Sequence, residues 1–395
     1  MSVRVLQVIS SVSDLHGGGS TAIWATLKAL RSRDIQCELV TTNEDGHGRM
    51  LDVPLGEFIP RDANRVRFFP YKGDRYVTSW PMARWLLARV RDYDLVHVHG
   101  LFRFAPVAAA HAAIVRGVPY VLTLHNVLGD WGMQHRRPRL KKLSIGLIEG
   151  RVIDRASRVH FCSTKEQEEA GRVRAIGARS RVFPLGLDFA SDAARTADDS
   201  LAALEPLAGR PMVLYLSRIH EIKGVDKLLT AFAGVRRTRP DVVLAIAGSG
   251  DPQLIAQLQA LAAELGVADH THWLGMVQGR LKAALFSQAT VFALPSSSEN
   301  FGYAVVEAMA AGVPVVTTVH VPAGKFVAEA HGGIIYDGRA EQLEQSLLQV
   351  LSMPEHERRS CGSRAAASVR ERLSLEAYGE SLEATYREIA PTRRQ

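Results

Sequence analysis

LPSSSENFGYAVVEAMAAGVPVV, residues 294–316, sets two glutamates, Glu299 and Glu307, with seven residues between them and an Asn-Phe-Gly turn just after the first. Glu299 follows a short apolar run, Val291 to Leu294, and a Pro-Ser-Ser-Ser segment, so it belongs to a loop leaving a strand. From about Tyr303 the pattern turns helical, with Ala304, Glu307, Ala308 and Ala311 at the spacing of one helix face. Gly312 stops that helix and Pro314 opens the next extended run. The two acids therefore flank a strand–loop–helix junction. The free N–H groups of residues 301–304 gather there, at the positive end of the helix dipole, which suits an anion such as a phosphate. Read alone, the stretch is equally a surface loop with two solvated acids.

Working outward, the same half of the chain repeats this grammar. PMVLYLS, DVVLAIAG, THWLG, VFALPS and PVVTT read as strands, with helices at 225–237, 252–265, 279–288 and 303–311 between them. The first half alternates likewise. Strands are expected at Val3–Ile9, Cys37–Thr41, Val66–Phe69, Leu95–His99 and Tyr120–Leu124, and helices at Ser20–Ser32, Pro81–Val90, Pro106–Arg116 and Arg139–Arg155. Two βαβ-rich halves imply an α/β protein of two doubly wound, Rossmann-like parallel-sheet domains, with ligands outside the carboxyl ends of the strands and a site in the cleft between the domains. The expected boundaries are an N-terminal domain at 1–188, an Ala/Asp/Ser-rich linker at 189–209 and a C-terminal domain at 210–374. A last helix, 375–395, is expected to pack back on the first domain.

Composition narrows the class. At 395 residues, 47% hydrophobic and 23% charged, the chain has the make-up of an ordinary two-domain globular protein. No apolar stretch approaches the ~20 residues of a membrane span, and the N-terminus reads as a first strand rather than a signal peptide. Cys37, Cys162 and Cys361 are scattered, without metal-type spacing, which fits a cytosolic, disulfide-free enzyme. Charge is uneven: residues 1–195 carry 29 Lys and Arg against 19 Asp and Glu, residues 196–395 carry 19 against 22. A first half at +10 suggests an anionic surface as its partner.

Charged residues recur at strand ends. In YLSRIHEIKGVDKLL, Arg218 lies on the loop after a strand and Lys223-Gly224 just before a helix. A guanidinium fork and an ammonium there can neutralise a diphosphate, although a solvated basic loop reads the same way. Gly248 follows the next strand, in AGSGD; a lone Gly-x-Gly is equally a tight turn. In the first half, Gly17 to Gly19 follow the first strand, where a backbone without side chains can approach a ligand. The full Gly-x-Gly-x-x-Gly fingerprint is missing, which argues against a dinucleotide. His125, in TLHNVLGDW, marks another strand end.

Taken in order, SRIHEIKG, AGSGD, THWLGMV and PSSSENFGYAVVEAMAAGVPVV resemble the family-4, retaining glycosyltransferases of GT-B fold, of the bacterial exopolysaccharide, capsule and lipopolysaccharide type, over nearly the whole chain. The resemblance implies that Arg218 and Lys223 hold the diphosphate of a sugar nucleotide, that Glu299 contacts the donor sugar, and that Glu307 holds the ribose hydroxyls. Asn300, Phe301, Gly302 and Tyr303 would meet the sugar and phosphates, Gly248 and Met276 would line the nucleotide site, and Gly18 and Gly19 would lie near the phosphates and acceptor. His125 matches the family's histidine that touches the donor sugar. With His125, Arg218, Lys223 and Glu299 as the catalytic group, the resemblance implies retention, no metal and no cofactor. The donor would be GDP-mannose, with UDP-hexoses next, and the acceptor a lipid-linked, growing cell-surface polysaccharide.

Other features pull elsewhere. Asp92-Tyr93-Asp94 is literally a metal-binding Asp-x-Asp of a different glycosyltransferase fold, but it precedes a strand instead of ending one. His97 and His99 face one side of that strand without an evident third ligand, so they read as packing. PLGLD at 184–188 departs from the family's Pro-Asn-Gly-x-Asp and leaves Asp188 without a sure role. HRRPRLKKLSIGLIEGRVI, residues 135–153, has Arg136, Arg137, Arg139, Lys141 and Lys142 at its start and a stripe of Leu140, Leu143, Leu147, Ile148 and Val152. It reads either as a helix packing its stripe on the sheet or as a basic amphipathic helix on an anionic membrane. The latter places the protein in the cytoplasm, peripheral on the inner face of the plasma membrane. A sugar-nucleotide epimerase, a glycan phosphorylase and a non-catalytic nucleotide- or nucleic-acid-binding protein are the alternatives; no nucleic-acid recognition motif is present.

Overall fold

The computed structural model describes residues 2–13, 18–46, 48–61, 63–135, 137–189 and 201–391. The chain divides into two compact units, Met1–Gly186 with Leu375–Gln395, and Leu187–Ser374. Most of the expected linker, 190–200, lies outside the described residues, as does Arg136. Leu204 and Leu207, from its end, are buried in the core of the second unit.

In the first unit the strands are β1 (Val3–Val8), β2 (Ile35–Thr42), β3 (Phe58–Arg61), β4 (Asn64–Phe69), β5 (Leu95–His99), β6 (Tyr120–Thr123), β7 (Arg158–Phe161) and β8 (Ser180–Val182). They form one sheet in the order β3-β4-β2-β1-β5-β6-β7-β8. All pairs are parallel except β3 with β4, an antiparallel edge that the sequence reading did not include. The centre of the sheet is buried on both faces, so all of β5 is buried and its sequence, LVHVH, is apolar apart from two histidines. The chain passes outward from β1 to β2 on one side and returns to β5 on the other. Loops leaving β1 and β5 therefore diverge and leave a crevice.

The second unit repeats the plan with β9 (Met212–Leu216), β10 (Val243–Ala247), β11 (Thr271–Gly275), β12 (Val291–Leu294), β13 (Val315–Thr318) and β14 (Gly333–Tyr336), in the order β11-β10-β9-β12-β13-β14, all parallel. Its switch point lies between β9 and β12. The last helix, Leu375–Ile389, belongs to the first unit and packs against the helix Gly18–Leu30. Tyr378 and Thr26 share a hydrogen bond of 2.9 Å, and Arg33 reaches Glu383 at 2.7 Å. Among the described residues no helix is long and apolar enough to cross a membrane.

Candidate functional site

In the second unit the loops leaving β9 and β12 are tied together: the Ser297 N–H donates to the Ile222 carbonyl at 2.8 Å. Gly224 sits at φ +71°, and a Cβ there would strike the Pro295 carbonyl. This close approach brings Lys223 against Glu299, the first outcome of the two-glutamate motif. Lys223 Nζ donates to Glu299 Oε1, with each side chain 11% exposed. Ser296 Oγ adds a second donor to the same oxygen at 3.1 Å.

After Glu299 the chain turns at Gly302, φ +94°, where a Cβ would lie 2.5 Å from Val321. The helix Tyr303–Ala310 starts there, over a buried Phe301 whose carbonyl accepts from the Ala323 N–H at 2.8 Å. Glu307 is one turn in, and its partner is Lys282 from the helix Gly279–Gln288, at 2.8 Å. Lys282 carried no signal in the sequence. Arg218 is exposed on the loop after β9, and that loop is stitched to the Gly248 turn by the Ile219 N–H to the Ser249 carbonyl, 2.8 Å. Gly248 in turn donates to the Gly275 carbonyl at 2.6 Å, beside an exposed Met276. Glu307 also lines a cavity of about 160 Å³ with Asp188, Phe189, Phe286 and Arg370.

In the first unit a cavity of about 250 Å³ opens at the β1/β5 switch point, lined by Ser10, Ser20, Glu44, His99, Arg103 and His125 among others. The helix Gly18–Leu30 begins at Gly18, while Gly17 lies outside the described residues. His125 and Asn126 are both left-handed, at φ +53° and +62°, a costly backbone state for residues with side chains. Glu166 holds this turn. Its carboxylate accepts from the Asn126 N–H and, at 2.7 Å, from the Cys162 N–H. Burial pushes the Glu166 carboxyl up to about 7 against the lowering effect of those two bonds. The same burial holds His125 and His160 down to about 4 and His97 and His99 well below 6.5, so all four imidazoles are neutral at neutral pH. Sequence reasoning missed Glu166, although Ser163–Glu166 has capping-box spacing and the Ser163 side chain does accept from the Glu166 N–H.

Two expectations change. Val152 is fully buried and does not belong with the apolar stripe of residues 140–148, of which Leu140, Leu143, Leu147 and Ile148 are exposed. The stripe thus does not pack on the sheet. Lys141 turns inward, donating to the Gly132 carbonyl. Arg137, Arg139 and Lys142 are exposed. The Asp-x-Asp acids have structural work: Asp92 pairs with Arg89 at 2.8 Å, and Asp94 accepts from the Arg4 N–H at 2.8 Å. His97 and His99 are buried as packing residues would be, but they are hydrogen-bonded to other polar side chains.

Comparison with known proteins agrees across both units. Residues 198–367 match the family model "Glycosyl transferases group 1", and residues 17–186 match "Glycosyl transferase 4-like domain". The phosphatidyl-myo-inositol mannosyltransferase of Mycobacterium leprae is 29% identical over 80% of this chain and 78% of its own length. The D-inositol 3-phosphate glycosyltransferase of Xylanimonas cellulosilytica is 31% identical over 81% of this chain and 77% of its own. Among solved structures, Anabaena HepE in complex with UDP-glucose superposes with a TM-score of 0.73 at 19% identity, covering 98% of this chain and 100% of that one. Sucrose-phosphate synthase from Thermosynechococcus elongatus gives 0.74 at 20%, covering 98% and 99%.

Proposed function

The chain belongs to the family-4 glycosyltransferases of GT-B fold, which take a sugar from a sugar nucleotide, and from that premise we propose a retaining, metal-independent hexosyl transfer from GDP-mannose to a lipid-linked acceptor. The observation that carries the reading is the pair of lysine–glutamate contacts around the N-terminus of Tyr303–Ala310, Lys223 with Glu299 and Lys282 with Glu307. A nucleoside diphosphate enters this junction. Lys223 and Arg218 neutralise the phosphates, the amides of residues 301–304 receive them along the helix dipole, Glu307 takes the ribose hydroxyls, and Glu299 the sugar. Gly248 and Met276 line the nucleotide, and Asn300 and Tyr303 the sugar and phosphates. As the leaving diphosphate gains charge, Arg218 and Lys223 stabilise it electrostatically, which is where such a site gains most of its rate. In the first unit, Gly18 and Gly19 are assigned to the phosphates and acceptor, the cavity at the β1/β5 switch point to the acceptor hydroxyl, and His125 to the transferred sugar. Among the described residues no carboxylate stands out as a nucleophile, and the reading is of attack on the same face, assisted by the departing phosphate.

Mannose is favoured because the M. leprae relative is a mannosyltransferase, and a lipid acceptor because that relative's name places phosphatidylinositol as the partner. A membrane-bound acceptor is further supported by the exposed Leu140, Leu143, Leu147 and Ile148 beside Arg137, Arg139 and Lys142, an apolar stripe with a basic end suited to an anionic inner leaflet. The test is release of free nucleoside diphosphate from GDP-mannose, UDP-glucose, ADP-glucose and TDP-glucose, paired with thermal shifts against the four diphosphates. A nucleotide at 100 times its dissociation constant stabilises by ~2.7 kcal/mol. Stabilisation by UDP or ADP but not GDP overturns the mannose assignment and leaves the transferase.

A further inference from the structure

We infer that Tyr386, on the last helix, acts with Gln7 and His99 as a set of positioning residues that lock His125 in one tautomer, with Nε2 protonated and Nδ1 offered as an acceptor. The inference rests on the reading above that His125 meets the transferred sugar, and it goes beyond it by saying which face of the imidazole is presented and what fixes it.

Seven hydrogen bonds connect His125 to a backbone carbonyl through the interior of the first unit. Their directions follow from one end. The Phe183 carbonyl can only accept, so His160, 2.8 Å away through Nε2, must donate. A neutral imidazole has one proton, so His160 Nδ1 accepts, and Thr123 Oγ1 at 3.0 Å gives it its only hydrogen. Thr123 must then accept from His97 Nε2 at 2.7 Å, which leaves His97 Nδ1 to accept from the Tyr386 hydroxyl at 2.6 Å. The Tyr386 proton is now used, and its oxygen accepts from Gln7 Nε2 at 3.0 Å. That sets the Gln7 amide, whose Oε1 faces His99 Nε2 at 2.8 Å and can only accept. His99 Nδ1 is left to accept from His125 Nε2 at 3.2 Å.

Every proton in the series therefore points from His125 towards Phe183, and no member can be reversed alone. Turning the Gln7 amide would set its oxygen against the oxygen of Tyr386 and its nitrogen against the proton of His99. Burial keeps the four imidazoles neutral, which the argument requires. His125 lines the cavity, and with Nε2 engaged the ring nitrogen left to a ligand is Nδ1, a lone pair with no hydrogen-bond partner shown among the described residues. A sugar hydroxyl can donate to it; a carbonyl or phosphate oxygen cannot. The last helix, whose Tyr386 is 379 positions from Gln7 of the first strand, thereby takes part in the site chemistry.

Histidine-selective ¹⁵N labelling of the full chain reads the tautomers directly. His125 should show a pyridine-type Nδ1 and a pyrrole-type Nε2 at pH 7.5; the opposite pattern, or a mixture, overturns the inference. Tyr386→Phe keeps the ring and deletes the hydroxyl. It should scramble the His125 pattern and lower kcat about tenfold or more, the lower end of what loss of a residue orienting a metal-bound histidine costs, with KM for the donor within about twofold. Gln7→Met is the second variant should Tyr386→Phe not fold, with the same expectation. An unchanged His125 signature in either folded variant refutes the coupling, and a scrambled signature with normal kcat refutes its service to catalysis. Full activity in His125→Ala would instead sink the underlying role of His125 while the wild-type spectrum still tested the hydrogen-bond series.

Discussion

Replacing Lys223 with alanine separates its pairing with Glu299 from the phosphate contact proposed for it. At rest it neutralises Glu299, each side chain being about a tenth exposed. Removing it leaves a nearly buried carboxylate with Ser296 Oγ as its remaining hydrogen-bond donor among the contacts described above. Breaking a fully buried pair costs about 3–5 kcal/mol; partial access to water at this junction lowers that to about 2 kcal/mol. With nucleotide bound, the lysine contributes a charge-assisted bond to phosphate, about 1.5–3 kcal/mol net, or roughly 10- to 150-fold in Kd. Without the lysine, the Glu299 charge would also repel the diphosphate. Lys223→Ala/Glu299→Gln removes that repulsion, so the double variant should bind nucleoside diphosphate more tightly than Lys223→Ala yet more weakly than the wild type. It should also regain most of the lost stability without regaining turnover. Calorimetry with nucleoside diphosphate and monophosphate, beside thermal melts, gives both orders. Unchanged diphosphate affinity in Lys223→Ala refutes the diphosphate assignment, and equal melts for the single and double variants refute the buried-pair account.

Glu307→Gln should weaken nucleoside diphosphate binding by releasing the ribose contact, while Glu299→Gln spares it and damages sugar transfer; the reverse pattern exchanges the two acids. Turnover should survive a metal chelator, and complete loss in EDTA would rule out the metal-free clamp. Liposome co-sedimentation should rise with anionic lipid, fade in high salt, and drop when Arg137, Arg139 and Lys142 become Ser; indifference to anionic lipid at low salt removes the membrane proposal. Between about pH 4 and 6.5 the unfolded chain protonates histidines that the fold keeps neutral, so their stabilisation is complete above 6.5 and is lost as pH falls towards 4. Glu166 acts oppositely, its contribution being full below 4.5 and lost as pH rises through about 7. Four histidines outweigh one carboxyl, so the melting temperature should be lower at pH 5 than at 7.5, with none of the four imidazoles titrating in the folded protein above pH 6; a melt that rises on acidification contradicts this.

Most of the sheet framework is legible in the sequence because parallel strands buried on both faces must be short apolar runs, as in VLAIA of β10 and VFAL of β12. What escapes is polar or brief. The helix Thr164–Val173, TKEQEEAGRV, shows little apolar periodicity, and the helix Glu355–Arg372 is charged around most of its circumference. β3 pairs only at an edge. At the site, Glu299, Glu307 and Lys223 are visible because strand-end placement and spacing mark them. Lys282 is invisible because nothing local says that its helix faces Glu307. Tyr386 is invisible for a stronger reason: its hydrogen bond to Gln7 spans 379 positions, and only packing of the last helix makes it.

The two units put the same topological feature to different electrostatic use. At the β9/β12 switch point, lysines are held beside carboxylates, so a diphosphate entering as proposed would exchange partners with charges already in place. Little has to be reoriented, which is the condition under which fixed charges act most strongly on a leaving group. At the β1/β5 switch point the cavity around His125 is lined by Glu44 and Arg103 but also by neutral imidazoles and serine hydroxyls, and the proton directions at those imidazoles are fixed by a carbonyl some distance away. A charged imidazole there would present two donors, attract phosphate and reject a hydroxyl donor. On the proposed reading of His125 as a sugar contact, the burial that keeps it uncharged would serve selectivity as well as structure. It follows that replacing Thr123 by valine, well inside the core and not lining the cavity, should disturb His125 through His97 and Tyr386. Its His125 ¹⁵N pattern should resemble that of Tyr386→Phe, and an undisturbed pattern would confine the ordering effect to the Gln7–His99 end.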